Sequence, residues 1–234
     1  MQLSIRNLAL VILGLFCLNS MAQDSIPSTI IDPVYREDQF YIGITYNVIT
    51  DVPTDVSTRG LSGGLKFGYL RDMPLNERRN VAIAVGAGLV IDRFGQTLFI
   101  GESTNNETIF SVLDGEVDYN SNRFSTYTVE APIELRWRTS TASSYKFWRI
   151  YTGFKIGYTY YYKATFKQTG NNVVQTDIPE YERLRLGASL CFGYNTFNFY
   201  AYYSINPFFK DAVTDTGQNV DFRTVKVGLM FYIL

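Results

Sequence analysis

The chain has 234 residues, a net charge of −1 and no histidine. The near-neutral balance argues against a nucleic-acid partner, and the lack of histidine removes Ser-His-Asp and Cys-His catalysis and any imidazole metal ligand. Aromatic residues reach 16%, with 18 tyrosines, a residue type favoured both in strands and at membrane interfaces.

Residues 1–22 read as a cleaved secretory signal peptide. Arg6 supplies the positive start, "LALVILGLFCL" over 8–18 the apolar run, and Ser20-Met21-Ala22 a small-x-small site with cleavage after Ala22. The run is too short to span a bilayer as a helix, and no later stretch reaches the roughly 18 consecutive apolar residues that would. A lipid-modified Cys17 fits less well, because Phe16 stands where a small residue is wanted. Cleavage leaves Cys191 as the single mature cysteine, so no intrachain disulfide is expected. Residues 23–38 follow as a periplasmic N-terminal segment and 39–234 as one barrel domain.

Eight segments alternate apolar and polar residues with the period of two of a strand: 39–47, 60–71, 80–94, 125–138, 147–163, 182–194, 197–206 and 223–234. The connections alternate between long (48–59, 95–124, 164–181, 207–222) and short (72–79, 139–146, 195–196). That rhythm predicts an all-β fold, an eight-stranded antiparallel up-and-down transmembrane β-barrel with long outer loops and short periplasmic turns. Strands of this length, tilted by about 40°, cover the roughly 25 Å apolar band of such a barrel. Segment 147–163 is longer and is expected to project outward. Within 95–124, "TLFIGESTNNETIFSVL" reads as two short β runs and predicts a hairpin above the membrane; counted as wall strands, they would make ten. "GLSGGLKFG", 60–68, lacks the ending of a phosphate loop and opens a strand rather than a helix.

The two faces of these strands differ in kind. In "YTVEAPIELRWRTS", 127–140, one parity carries Val129, Ile133, Leu135 and Trp137 and the other Glu130, Glu134, Arg136 and Arg138. Over all segments the polar parity collects Lys66, Asp92, Glu130, Glu134, Arg136, Arg138, Arg149, Lys155, Lys163, Arg183, Arg185 and Lys226, and most of the strand glycines. On a solvent face, glycine weakens a strand and packs nothing. Inside a narrow barrel it makes room for long side chains. The charges are therefore expected to form a lumen network, with the apolar parity facing lipid. Aromatic girdles fit: Tyr69, Trp137 and Trp148 at one end, and Tyr46, Tyr127, Tyr160 and Tyr162 at the other. Arg93 and Arg223, outward at the outer rim, are expected to meet lipid phosphates or to snorkel into headgroup water. Pro132 cannot donate to a ladder, so a local bulge is expected there.

Eight strands leave a bore that side chains fill, so the lumen reads as a packed plug; an anion-selective pore would need more strands or a missing side-chain layer. The outer loops are acidic, with Asp51, Asp55, Glu102, Glu107, Asp114, Glu116, Asp118, Asp177, Glu180, Asp211, Asp215 and Asp221 against Arg59, Arg123, Lys167 and Lys210. They read as solvated. A divalent-cation site around Asp114, Glu116 and Asp118 is the sharper alternative, at a spacing that is no EF-hand.

The stretches "REDQFYIGITYN" (36–47), "RDMPLNERRNVAIAVGAGL" (71–89), "IELRWRTS" (133–140) and "YKFWRIYTGFKIGY" (145–158) resemble the PorT-like outer-membrane β-barrel family of Bacteroidetes-type bacteria. The terminal "MFYIL" departs from the common final Phe. The resemblance implies the outer membrane of a Gram-negative bacterium and, through the family's named member, a tie to type IX protein secretion. It supplies no catalytic motif. The functional expectation is a non-enzymatic barrel with a structural or partner-binding role in the envelope, no cofactor, and outer-membrane lipid, lipopolysaccharide and an envelope or secretion complex as partners. The alternatives are a narrow passive channel and a lipid-modifying barrel enzyme, the latter lacking the usual histidine base.

Overall fold

The computed structural model describes residues 38–105, 107–113, 115, 117–139 and 147–233. The signal peptide, its cleavage site and residues 23–37 of the periplasmic segment lie outside the described residues. No helix is formed among the described residues; eleven strands are.

Eight strands close the wall: β1 (Gln39–Thr50), β2 (Gly63–Pro74), β3 (Val81–Gly95), β6 (Ser121–Arg138), β7 (Trp148–Gln168), β9 (Leu184–Tyr194), β10 (Phe197–Ser204) and β11 (Arg223–Ile233). Each pairs antiparallel with its neighbour in that order, and β11 pairs back onto β1. Closure leaves no free edge in the wall, the condition for strands to cross hydrocarbon with every backbone group satisfied. Outside the wall, β4 (Leu98–Glu102) and β5 (Thr108–Val112) form the expected separate hairpin. β8 (Asn171–Gln175) adds to the outer extension of β7.

Alternation orients every wall strand. Phe199, at 65% exposed, faces lipid, while Arg136 and Arg138, at 0%, face inward. Inward glycines make space for neighbours: a Cβ on Gly187 would overlap the ring of Tyr202, and one on Gly88 would overlap the hydroxyl of Tyr41.

Two irregularities depart from the sequence expectation. No bulge forms at Pro132. Pairing with β3 skips Ala131 and Pro132 and resumes in the same register, Glu130 opposite Gly88 and Ile133 opposite Val85. The lost donor costs two pairs of the ladder and no shift. The bulge sits instead in β7, where Tyr127 pairs with Tyr161 and Thr128 with Thr159, leaving Tyr160 extra. An extra residue reverses the parity beyond it. Tyr160 and Tyr161 both face out, and Tyr162 turns inward to 3% exposure.

Gly187→Ala is expected to lower stability by about 1–3 kcal/mol, the range for overpacking a filled interior. Urea unfolding of the barrel in detergent micelles measures it.

Candidate functional site: a filled lumen under an aromatic cap

The lumen is filled from the periplasmic end upward by charges that answer one another. Lowest, Asp72 accepts from Arg138 Nη2 at 2.8 Å and from Arg136 Nη1 at 3.2 Å. Arg136 also reaches Glu134 Oε2 at 3.2 Å, and its guanidinium lies 4.5 Å from the centre of the Tyr151 ring. Arg149 stacks 4.5 Å over Phe147 at the same end. One layer up, Glu130 accepts from the Tyr41 hydroxyl at 3.1 Å and from Lys155 Nζ at 3.3 Å. Lys66 Nζ stands 3.9 Å from the same carboxylate and donates to the Tyr200 hydroxyl at 2.7 Å. Above these, Asp92 is paired with Lys226 and accepts from Asn47 Nδ2 at 2.9 Å. A buried ion pair is tolerated when further partners complete it: Glu130 and Asp92 have hydrogen bonds from Tyr41 and Asn47, and Asp72 and Glu134 are each met by two cations.

Arg185 ends the column. It donates to Ser204 Oγ at 2.7 Å and to the carbonyl of Asn206 at 3.0 Å, with its guanidinium 4.3 Å from the Phe208 ring centre. It ties the barrel to the loop 205–222, and no carboxylate among the described residues forms an ion pair with it.

Lys66, Asp92, Glu130, Glu134, Arg136, Arg138, Arg149, Lys155, Arg185 and Lys226 are thus all buried in the lumen. Arg183 is not: it precedes β9, is exposed, and its guanidinium lies 5.2 Å from the centre of the Tyr162 ring. Lys163, beyond the β7 bulge, turns to the outer wall opposite Ser125. Asp72 is the lumen acid that the sequence reading missed. It continues the inward series Lys66, Gly68, Leu70, but the strand was expected to end at residue 71.

Of the girdle residues, Tyr46, Tyr69, Trp137, Trp148 and Tyr160 are exposed on the wall and Tyr127 is partly so. Tyr162 is corrected to the interior. Its hydroxyl donates to the Ile178 carbonyl and accepts from the Ile178 N–H, at 3.2 and 3.1 Å. Arg93 is exposed, whereas Arg223 is held by Asp51 at 3.2 Å and by the carbonyl of Ile205.

The outer loops are not merely solvated. They build a second apolar core over the mouth from Ile49, Val56, Phe94, Leu98, Ile100, Phe110, Phe124, Ile178, Tyr181, Phe208, Phe209, Val220 and Phe222, among others. Phe124 is central, with the rings of Tyr181, Phe209 and Phe208 at 5.4, 5.7 and 6.0 Å. Burial pushes the Tyr181 hydroxyl up to about 12, so it remains a donor to Thr159 Oγ1 at 3.1 Å. Polar contacts join one loop to another: Thr54 N to Gln218 Oε1 at 2.7 Å, Ser111 Oγ to Asp215 Oδ2 at 2.6 Å and Gln175 Nε2 to Glu102 Oε2 at 2.8 Å. Asp114 and Glu116 of the cation-site alternative lie outside the described residues. Among those described, no group of three or more acidic or cysteine side chains converges.

Between ion column and cap remains a cavity of 30 Å³, lined by Lys66, Asp92, Glu130, Lys155, Arg185 and Lys226 among others. At roughly 10–15 Å³ per water position, it has room for about two waters.

A closed eight-stranded wall with an apolar outside and a charged, filled inside agrees with the family comparison, in which the model for the outer membrane protein beta-barrel domain matches residues 21–210. The chain belongs to that family. It is an outer-membrane barrel, and β11, which closes the ring, lies beyond the matched residues. The family match is to the general domain and does not single out the PorT-like branch. No curated protein matches the sequence. Among solved structures, Ail, the attachment invasion locus protein of Yersinia pestis, in complex with the heparin analogue sucrose octasulfate, is similar over 84% of this chain and 99% of that one, at 17% identity and a TM-score of 0.34.

Asp72→Asn leaves Arg136 and Arg138 without their shared carboxylate. The expected cost is about 3–5 kcal/mol, the range for breaking a buried pair by removing one partner. The urea midpoint of refolded barrels reads it, and Glu77→Gln in the exposed periplasmic turn is the control expected to change little.

Proposed function

We propose that the protein is a non-enzymatic, non-conducting barrel that works at its surfaces, holding an ordered and acidic outer platform in place for partners in the envelope. The aromatic core of the outer loops carries this reading. A loop set with its own apolar core presents a fixed shape, and fixed shapes bind without the ordering cost that mobile loops incur. The lumen supports the non-enzymatic part. Asp72, Asp92, Glu130 and Glu134 are each engaged by a cation, leaving none poised as a base, and the one described cysteine, Cys191, is buried.

The PorT-like resemblance directs the search for partners toward protein-secretion complexes of the type IX kind, and that link rests on the resemblance alone. The channel alternative is disfavoured by the column of ion pairs, the cap above it and the small size of the remaining cavity.

In planar bilayers the protein is expected to show no steady conductance. Phe208→Ser with Phe209→Ser is expected to leave the bilayer silent, because the ion column remains, while speeding proteolysis of the outer loops on the order of tenfold through loss of the cap. A steady, sizeable conductance from the unaltered protein would contradict the proposal.

A further inference from the structure

The bulge at Tyr160 does more than bury Tyr162: it re-aims Lys163 onto the lipid-facing wall. There Lys163 pairs with Ser125, and Ser125 on its other side pairs with Arg93. The three stand in one cross-strand row over β3, β6 and β7, with a single strand between the two cations. With strands about 4.8 Å apart, their Cα atoms are roughly 10 Å from each other. Two long side chains at that separation can close on one anion. Arg123 lies two residues outward from Ser125 on the same face of β6 and pairs with Gly95 and Thr165. None of Arg93, Arg123 and Lys163 makes a side-chain ion pair among the described residues, unlike Arg223, which Asp51 holds.

Directly below this row, toward the membrane centre, Ile91, Tyr127 and Tyr161 are paired in the same way. To one side the row continues through Gly63, opposite Arg93, to Tyr46. Gly63 has no side chain to put on the wall, and an apolar hollow of 670 Å³ opens there. It runs inward past Leu65, Ile44 and Leu229, with Arg93 at its lip. An apolar trough for chains thus begins where the basic cluster ends, at the level of the outer girdle.

We infer that this wall is a specific site for a phosphorylated, multiply acylated lipid of the outer leaflet, the phosphate held by Arg93, Lys163 and Arg123 around Ser125 and one acyl chain laid in the trough beside Gly63. A guanidinium supplies paired donors that match phosphate geometry, and an ammonium adds a point charge. The site is independent of the outer platform and of any secretion partner.

The test is native mass spectrometry of the full-length mature barrel in detergent, titrated with lipid A in its phosphorylated and dephosphorylated forms. The phosphorylated form is expected to bind more tightly by at least about tenfold, as hydrogen bonds to charged groups imply. Arg93→Gln with Lys163→Gln should abolish that preference and leave the dephosphorylated form unchanged. Gly63→Leu, which fills the trough, should weaken both forms. Arg71→Gln, exposed at the opposite end of the wall, is the control, and heat-modifiable migration on gels verifies folding of every variant. Equal binding of the two forms by the unaltered protein, or a double charge variant that behaves like Arg71→Gln, would overturn the phosphate site; unchanged binding by Gly63→Leu would overturn the trough.

Discussion

Hydrocarbon offers no hydrogen bonds, and that single constraint organises the molecule. Every backbone donor and acceptor in the wall must be met by a neighbouring strand, which requires the ring to close from β11 onto β1. Every charge in the strands must then turn inward or climb to the rim. Once inside, charges are costly unless matched, so Asp72 is shared by two guanidinium groups and Glu130 by two ammonium groups and a phenol. The lumen is full because eight strands enclose little more than these side chains require.

The outer mouth obeys a different constraint. Above the membrane the barrel has lost its lipid support, and its long connections are polar on average. They are held by a local core in which the rings of Phe124, Tyr181, Phe208 and Phe209 meet. Arg185 couples the two regions, binding loop carbonyls on one side while standing over Phe208. The acidic character of the loops thus belongs to their outer skin, with an apolar interior beneath.

Much of this was legible in the strands. Alternation alone separates Ile133 and Leu135 from Glu134 and Arg136, and the excess of glycine on the charged parity points to a crowded interior. The alternation of long and short connections orders the ring. The failures have particular causes. "YTYYYK", 158–163, holds tyrosines at both parities, so nothing in it marks where the bulge falls. Simple alternation therefore places Tyr162 and Lys163 on the wrong sides. Arg183 shares the parity of Arg185 but lies before the first residue of β9, where alternation no longer has meaning. Asp72 lay one residue past the expected strand end. The cap was invisible because Phe208, Phe209 and Phe222 are spread among polar residues and meet only through contacts distant in sequence.

The sealed, charge-filled lumen is tested most directly by its lysines. A small water-soluble acylating reagent applied to the folded barrel in detergent, followed by peptide mapping, reports which amines water reaches. Lys66, Lys155 and Lys226 are buried, whereas Lys167 and Lys210 are exposed. Protection of the first three, with rapid modification of the other two and of all five in urea, is the predicted result. Modification of Lys66 and Lys155 in the folded barrel as fast as Lys167 would contradict it.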